Sequence, residues 1–201
     1  MRLTHAVLIL ADISGYTDFI TNREVSLLHA EQIITDLLES MIDRTEHPLL
    51  LNKLEGDAAF LYAESGEDRG AAVRDALMQV RMLFAAFDER IERIRVERAH
   101  CSCDACANVD KLKLKAFAHC GEIAVKQVRQ FEELAGEDVI LVHRLMKNHL
   151  NEREYIMLSE AITRAWPLPA GIGRRHAELF EGMGELSLAI LSPSDLIAAT
   201  S

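Results

Sequence analysis

The stretch Ala6-Val7-Leu8-Ile9-Leu10-Ala11-Asp12-Ile13-Ser14-Gly15-Tyr16-Thr17 decides how the rest of the chain is read. Its first half is an unbroken apolar run of strand length, which marks a buried strand. The run stops at Asp12, and Ser14-Gly15 reads as a turn. Beyond it, from Thr17 to Arg44, apolar residues recur at Phe19, Ile20, Leu27, Leu28, Ile33, Ile34, Leu37, Leu38 and Met41. That spacing predicts one or two amphipathic helices. Strands are expected at 49–54 and 58–63, joined by Glu55-Gly56-Asp57, where glycine supplies the backbone angles of a tight hairpin turn.

Further along, Asp68 to about Arg95 is rich in Ala, Met, Leu and Arg and predicts a long helix. Leu112, Leu114, Ala116 and Ala118 alternate with other residues, the period of a half-buried strand. Gly121 is expected to break that strand, with Ile123 to Val128 as its hairpin partner. A helix over Val139 to Leu150, a strand over Tyr155 to Leu158 and a short helix capped by Ser159 follow. Two strands near Arg174–Phe180 and Leu186–Leu191 flank Gly182-Met183-Gly184. The order predicts an α+β fold, an antiparallel sheet covered by helices, similar to an elaborated ferredoxin-like βαββαβ arrangement.

The chain has 201 residues and a formal net charge of −10, with 49% hydrophobic and 27% charged residues. This is a globular composition, and the length suits one domain, residues 1–201, carrying a Cys-rich insertion at about 98–110. The acidic balance excludes a general binder of nucleic-acid polymers, which needs clustered Lys and Arg. A nucleotide substrate is compatible with it, because carboxylates can hold phosphates through a metal. No apolar run approaches the ~20 residues of a membrane span, and the start lacks the features of a signal peptide. Of the 4 cysteines, three fall within Cys101–Cys106, unlike a secreted disulfide framework. A cytoplasmic protein is expected.

Asp12 ends the first strand and Asp57 sits in the first hairpin's turn. If that strand lies beside the hairpin, both carboxylates reach the same end of the sheet. A divalent cation such as Mg²⁺ relieves their repulsion and brings phosphate oxygens with it. The bland alternative is a helix cap at Asp12 and an ordinary turn residue at Asp57.

Taken in order, these segments resemble the motifs of class III nucleotidyl cyclases. ADISGYTDFI resembles the opening motif, a strand ending in Asp-Ile-x-Gly-Phe-Thr, and KLEGDAAFLY resembles the second, a Lys before a Gly-Asp hairpin. KAFAHCGEIAV is similar to the third, an apolar strand ending in His-x-Gly. GEDVILVHRL resembles the fourth, Gly-x-x-Val-Asn-x-Ala-x-Arg on a helix. The resemblance runs from Ala6 to about Leu150. It implies ATP conversion to cyclic AMP and pyrophosphate, with two Mg²⁺ or Mn²⁺ ions per site held by Asp12 and Asp57. It further implies that Ile13, Ser14, Gly15 and Tyr16 cradle the triphosphate. Lys53 and Glu133 would contact the purine, and Arg144 would stabilise charge on the phosphates. In this family the site lies between two subunits, so a homodimer is implied, with metals on one chain and Lys53, Glu133 and Arg144 on the other. The sequence departs from the pattern at Ile140, where the family has the Asn that orients the ribose; His143 or Asn148 could substitute. The competing expectation is a catalytically degenerate dimer of the same fold that binds nucleotide or a protein partner.

His100, Cys101, Cys103 and Cys106 offer one imidazole and three thiolates, a Cys₃His set for Zn²⁺. The alternatives are a redox-labile surface loop and a reduced loop without metal. Cys120 reads as a buried small hydrophobe. His119 is expected to order a turn, and His29 and His47 to lie at the surface or at helix ends. Arg93, Arg95 and Arg98, interleaved with Glu92 and Glu97, read as a solvated helix face. Trp166 beside Pro167 reads as a packing residue.

Overall fold

The computed structural model describes residues 1–21 and 27–200. β1 (Arg2–Ser14) is followed by α1 (Tyr16–Thr21) and α2 (Leu27–Asp43). The hairpin β2 (Leu50–Glu55) and β3 (Ala58–Glu64) turns at Gly56, whose φ of 68° favours glycine. α3 (Arg69–Glu97) then crosses the sheet, its first turn capped by the Asp68 carboxylate, which accepts from the Ala71 N–H at 2.9 Å. After α4 (Asp104–Ala107) and a 3₁₀ turn at Val109–Lys111 come β4 (Lys113–Val128), β5 (Phe131–Ala135), α5 (Glu137–Leu145) and β6 (Tyr155–Ser159). α6 (Glu160–Ala165), β7 (Arg174–Phe180), β8 (Gly184–Leu191) and α7 (Pro193–Thr200) complete the described chain.

The strands form one 8-stranded sheet in the order β2-β3-β1-β4-β6-β8-β7, with β5 paired to β4. The first four strands reproduce the expected ferredoxin-like core: β1 lies between β3 and β4, antiparallel to both. The sheet is otherwise antiparallel except between β4 and β6, which run parallel because α5 crosses over between them.

β1 explains its own sequence. Val7, Ile9, Ala11 and Ile13 face a core shared with α2 and α3, whereas Ala6, Leu8 and Leu10 face a second core under α5. With both faces covered there is no place for polar alternation, hence the unbroken apolar run. α2 contributes Ile33, Leu37 and Met41, and α3 contributes Leu77, Val80, Phe84 and Phe87, to the first core. Arg90 of α3 bonds Asp36 of α2 at 2.7 Å and ties the two helices along their rim. Trp166 packs against the same core, and Cys120 is buried, as expected of both.

Several expectations are corrected. Gly121 does not end a strand: β4 runs straight through it to Val128, and the hairpin partner is β5. Glycine is required there because the Asp138 carboxylate lies where a side chain would be, 2.1 Å from an added Cβ. The helix expected to reach Leu150 stops at Leu145, because Asn148 Nδ2 captures the Leu145 carbonyl at 2.7 Å while its Oδ1 accepts from the Leu150 N–H. Ser159 starts α6 without capping it; its hydroxyl is engaged by His119 Nδ1 at 2.8 Å. α7 was not expected at all. Its signature is a capping box, Ser192-Pro193-Ser194-Asp195: Ser192 Oγ accepts from the Asp195 N–H, and Asp195 Oδ2 accepts from the Ser192 N–H.

Gly121→Ala should therefore act through Asp138. The new methyl must displace a carboxylate that is bonded to His119 Nε2 at 2.7 Å, at a cost of about 1–3 kcal/mol. Chemical denaturation should show that loss in Gly121→Ala, and a much smaller further loss when Asp138→Ala is already present. Additive losses would show that Asp138 is not the cause.

Candidate functional site

Asp12 does not end β1, which runs two residues further to Ser14 because Ile13 and Ser14 still pair with β4; it lies opposite Ala58 of β3 and Lys115 of β4. Asp57 occupies the β2–β3 turn, and its carbonyl accepts the Ile13 N–H at 3.2 Å, so the turn is stitched to the end of β1. Both side chains line one open cavity of about 350 Å³ together with residues 13–18 and Lys115. The expected meeting of the two carboxylates at one end of the sheet is thus what the fold produces. Partial burial first, and the neighbouring Asp57 charge second, push the Asp12 carboxyl up from 3.8 to about 6, against the opposing pull of Lys115. Burial also raises Asp57. Two acids held in this way form a site with an unmet demand for positive charge.

Lys115 was missed in the sequence. It is the charged partner of Asp12 in the β1–β4 register, and its ammonium also lies over the Tyr155 ring, 5.2 Å from the centroid. The alternation of Lys113, Leu114, Lys115 and Ala116 was the available signal; which face of the sheet it served depends on a pairing that only the fold reveals.

Lys53, Glu133 and Arg144 are not among the residues lining the Asp12–Asp57 cavity. Lys53 Nζ and Glu133 Oε2 are 3.2 Å apart, bridging β2 and β5, and Glu55 lies 3.7 Å from the same ammonium. Arg144 lies near the end of α5, half-buried, and has no ion-pair partner among the described residues. Ile140, one turn earlier, is 55% exposed. Neither candidate substitute for the missing Asn is available: His143 is held by the Val139 carbonyl and both Glu55 oxygens. Asn148 is consumed by Leu145, Leu150 and Tyr155.

His119 is buried, with Nδ1 at Ser159 Oγ and Nε2 at Asp138 Oδ1. The row resembles a Ser-His-Asp catalytic array, but both Ser159 and His119 are sealed from solvent. A nucleophile must be reached by its substrate, so the row joins β4, β6 and α5 and performs no chemistry.

The cysteine segment brings a correction. His100 is exposed at the end of α3 and takes no part in a cluster. The fourth member is His29, expected at the surface or at a helix end; it lies in the first turn of α2, half-buried against the cysteines. Nothing local links residues 72 positions apart, so only the docking of α2 on α4 could disclose the partner. Backbone and side-chain bonds with Cys103 lower the Cys101 thiol to about 7, while burial pushes Cys106 up to about 11.

A family model for proteins of unknown function, DUF2652, matches residues 34–155. An uncharacterized protein of Mycobacterium tuberculosis (strain ATCC 25618 / H37Rv) is 38% identical over 158 residues, which are 77% of this chain and 70% of that one. The chain belongs to the DUF2652 family. This DUF2652 protein has the fold of class III cyclase domains. It matches the adenylyl cyclase CyaB from P. aeruginosa with a TM-score of 0.70 at 12% identity, over 95% of each chain. It matches the guanylate cyclase domain of RhGC from Catenaria anguillulae, solved in complex with GTP, with a TM-score of 0.68 at 12% identity, over 96% and 98% of the chains. A class III adenylyl cyclase-like ATP-binding protein from Pseudomonas aeruginosa gives 0.72 at 16% identity, over 99% of this chain and 41% of that one. Among the described residues no helix is long and apolar enough to cross a membrane.

Because the folded state holds the Asp12 proton more tightly than the unfolded chain, stability falls as pH rises from 3.8 to about 6 and the loss persists above that range. Asp12→Asn should remove it. In metal-free buffer at pH 7–8 the variant should be more stable than the parent by about 2 kcal/mol, with the difference vanishing near pH 4. Urea denaturation across that pH range measures this; a less stable variant at neutral pH would contradict it.

Proposed function

We propose that this DUF2652 protein is a nucleotidyl cyclase, a single cyclase-type domain acting as a homodimer that converts ATP to cyclic AMP and pyrophosphate. The observation that carries this reading is the shared cavity of Asp12, Asp57, the turn at residues 13–16 and Lys115. Hard carboxylate oxygens in a site short of positive charge suit Mg²⁺ or Mn²⁺, which Asp12 and Asp57 would hold. When bound, such ions lower the pKa of the ribose 3′-hydroxyl and neutralise the β- and γ-phosphates.

Ile13, Ser14, Gly15 and Tyr16 would supply the cradle for the triphosphate, with the Lys115 ammonium meeting its charge. The 3′-oxygen attacks the α-phosphorus in line as the bond to pyrophosphate breaks, and the hydroxyl proton leaves to solvent. Arg144, with a planar guanidinium and no ion-pair partner among the described residues, would hold the phosphate oxygens through two parallel bonds as charge builds on them. Lys53 and Glu133 would present a donor beside an acceptor to the purine edge. Ile140 leaves the ribose without a side-chain bond from α5, which lowers the expected turnover.

Since Lys53, Glu133 and Arg144 do not line the cavity that holds the two aspartates, a second copy would complete the site. Leu50, Leu51 and Leu54 on β2, Val128 and Phe131 at the β4–β5 turn, and Ile140 are exposed apolar groups that a second copy would cover.

The test is cyclic-product formation by the purified dimer with ATP or GTP and manganese. Asp57→Ala and Arg144→Ala should each lose about 10²-fold or more in kcat. Mixing the two inactive variants should restore about a quarter of the parent rate, because about half of the dimers are mixed and each regains one intact site. No product above the Asp57→Ala background would sink the enzyme; retained ATP binding in that case would favour the nucleotide-binding module.

A further inference from the structure

His29 stands near the start of α2, whereas Cys101, Cys103 and Cys106 lie in the segment between α3 and β4. Their ligand atoms nevertheless lie within 4.8 Å of one another. His29 Nδ1 is 3.5 Å from Cys103 Sγ and 3.7 Å from Cys101 Sγ. A zinc tetrahedron with Zn–S of about 2.3 Å and Zn–N of about 2.0–2.1 Å has nitrogen–sulfur edges of about 3.6 Å. The two separations straddle that value. We propose that His29, Cys101, Cys103 and Cys106 form a closed, structural Cys₃His zinc site.

The donor chemistry separates this site from the aspartate cavity. Three thiolates and an imidazole select a borderline-soft ion in tetrahedral geometry, whereas magnesium and manganese take carboxylate and phosphate oxygens. Four protein ligands leave no coordination position for water or substrate, so the ion braces the fold and does no chemistry. All four cysteines are free, and each of the four proposed ligands is half-buried. The site therefore sits inside a junction between elements.

What it braces follows from its neighbours. Cys103 is the N-cap of α4, its sulfur accepting the Cys106 N–H at 3.5 Å. From α4 the chain runs through Asn108 and Lys111 to line a small cavity shared with Gly15, Asp18 and Phe19. The Lys111 carbonyl lies 3.4 Å from where a side chain on Gly15 would begin. An ion joining α2 to α4 would hold this wall against the turn that follows β1. Its ligands lie outside the Asp12–Asp57 cavity, so the site stands or falls independently of cyclase activity.

Elemental analysis of the full chain, purified with neither added zinc nor chelator, should find about one zinc per chain. His29→Ala and Cys103→Ser should lose at least ten-fold in zinc content, while His100→Ala keeps it. His29→Cys, which restores a four-ligand set, should recover zinc and guards against a variant that simply misfolds. Cobalt-substituted protein should show the intense d–d bands and thiolate charge-transfer absorption of a tetrahedral thiolate site. Hydrogen exchange should accelerate over residues 101–112 and 13–19 when zinc is withdrawn. Folded protein without zinc, a disulfide among the three cysteines in its place, or zinc content that follows His100 would overturn the site. Zinc bound with no effect on exchange at 13–19 would overturn the brace.

Discussion

Burial of β1 on both faces obliges β3 and β4 to pair with it along most of its length, because every backbone group on a sealed strand must be satisfied inside the protein. That constraint positions the chemistry. Asp12 is carried to within two residues of the end of the strand, and the Ile13 amide bonds the Asp57 carbonyl there. The backbones that carry the two carboxylates are therefore held together at the edge of the central pairing. A surface pair would swing into solvent and titrate normally; here burial first, and the Asp57 charge second, raise the affinity of Asp12 for a proton.

The parts legible in the sequence are those governed by local periodicity or short-range turn chemistry. The β2–β3 hairpin, α3 and the β7–β8 hairpin fall within a residue or a few of expectation, because each announces itself within its own span. β1, in contrast, starts earlier and ends later than its apolar run, at Arg2 and Ser14. Gly121 misled for a physical reason: glycine permits turns, but it also permits close approach, and the side chain that needs the room is Asp138 on a helix not yet formed when the strand is read. The cysteine cluster shows the same boundary. Its three thiols were visible as neighbours, while the imidazole that faces them comes from α2. Lys115 and Ser159 were hidden similarly, their partners being set by sheet register and by packing across β6.

The site elements divide into two groups that stay apart within one chain. Asp12, Asp57 and Lys115 open on one cavity, while Lys53 and Glu133 bridge β2 to β5, away from it. Lys53 and Glu133 satisfy each other, whereas the two aspartates keep their unmet demand for positive charge. Ile140 belongs to neither, and its exposed apolar side chain stands where the cyclase pattern has a polar one.

The row Ser159–His119–Asp138 has a mechanical meaning beyond its hydrogen bonds. Asp138 sits in the first turn of α5 and Arg144 in its last, about 9 Å further along the axis at 1.5 Å per residue. The row pins the first turn of that helix to the sheet, while buried Val142 and Leu145 and the bonds from His143 to both Glu55 oxygens hold the last turn. The helix that carries Arg144 is thus fastened at two points through imidazoles, His119 against Asp138 and His143 against Glu55, and is not hinged at one.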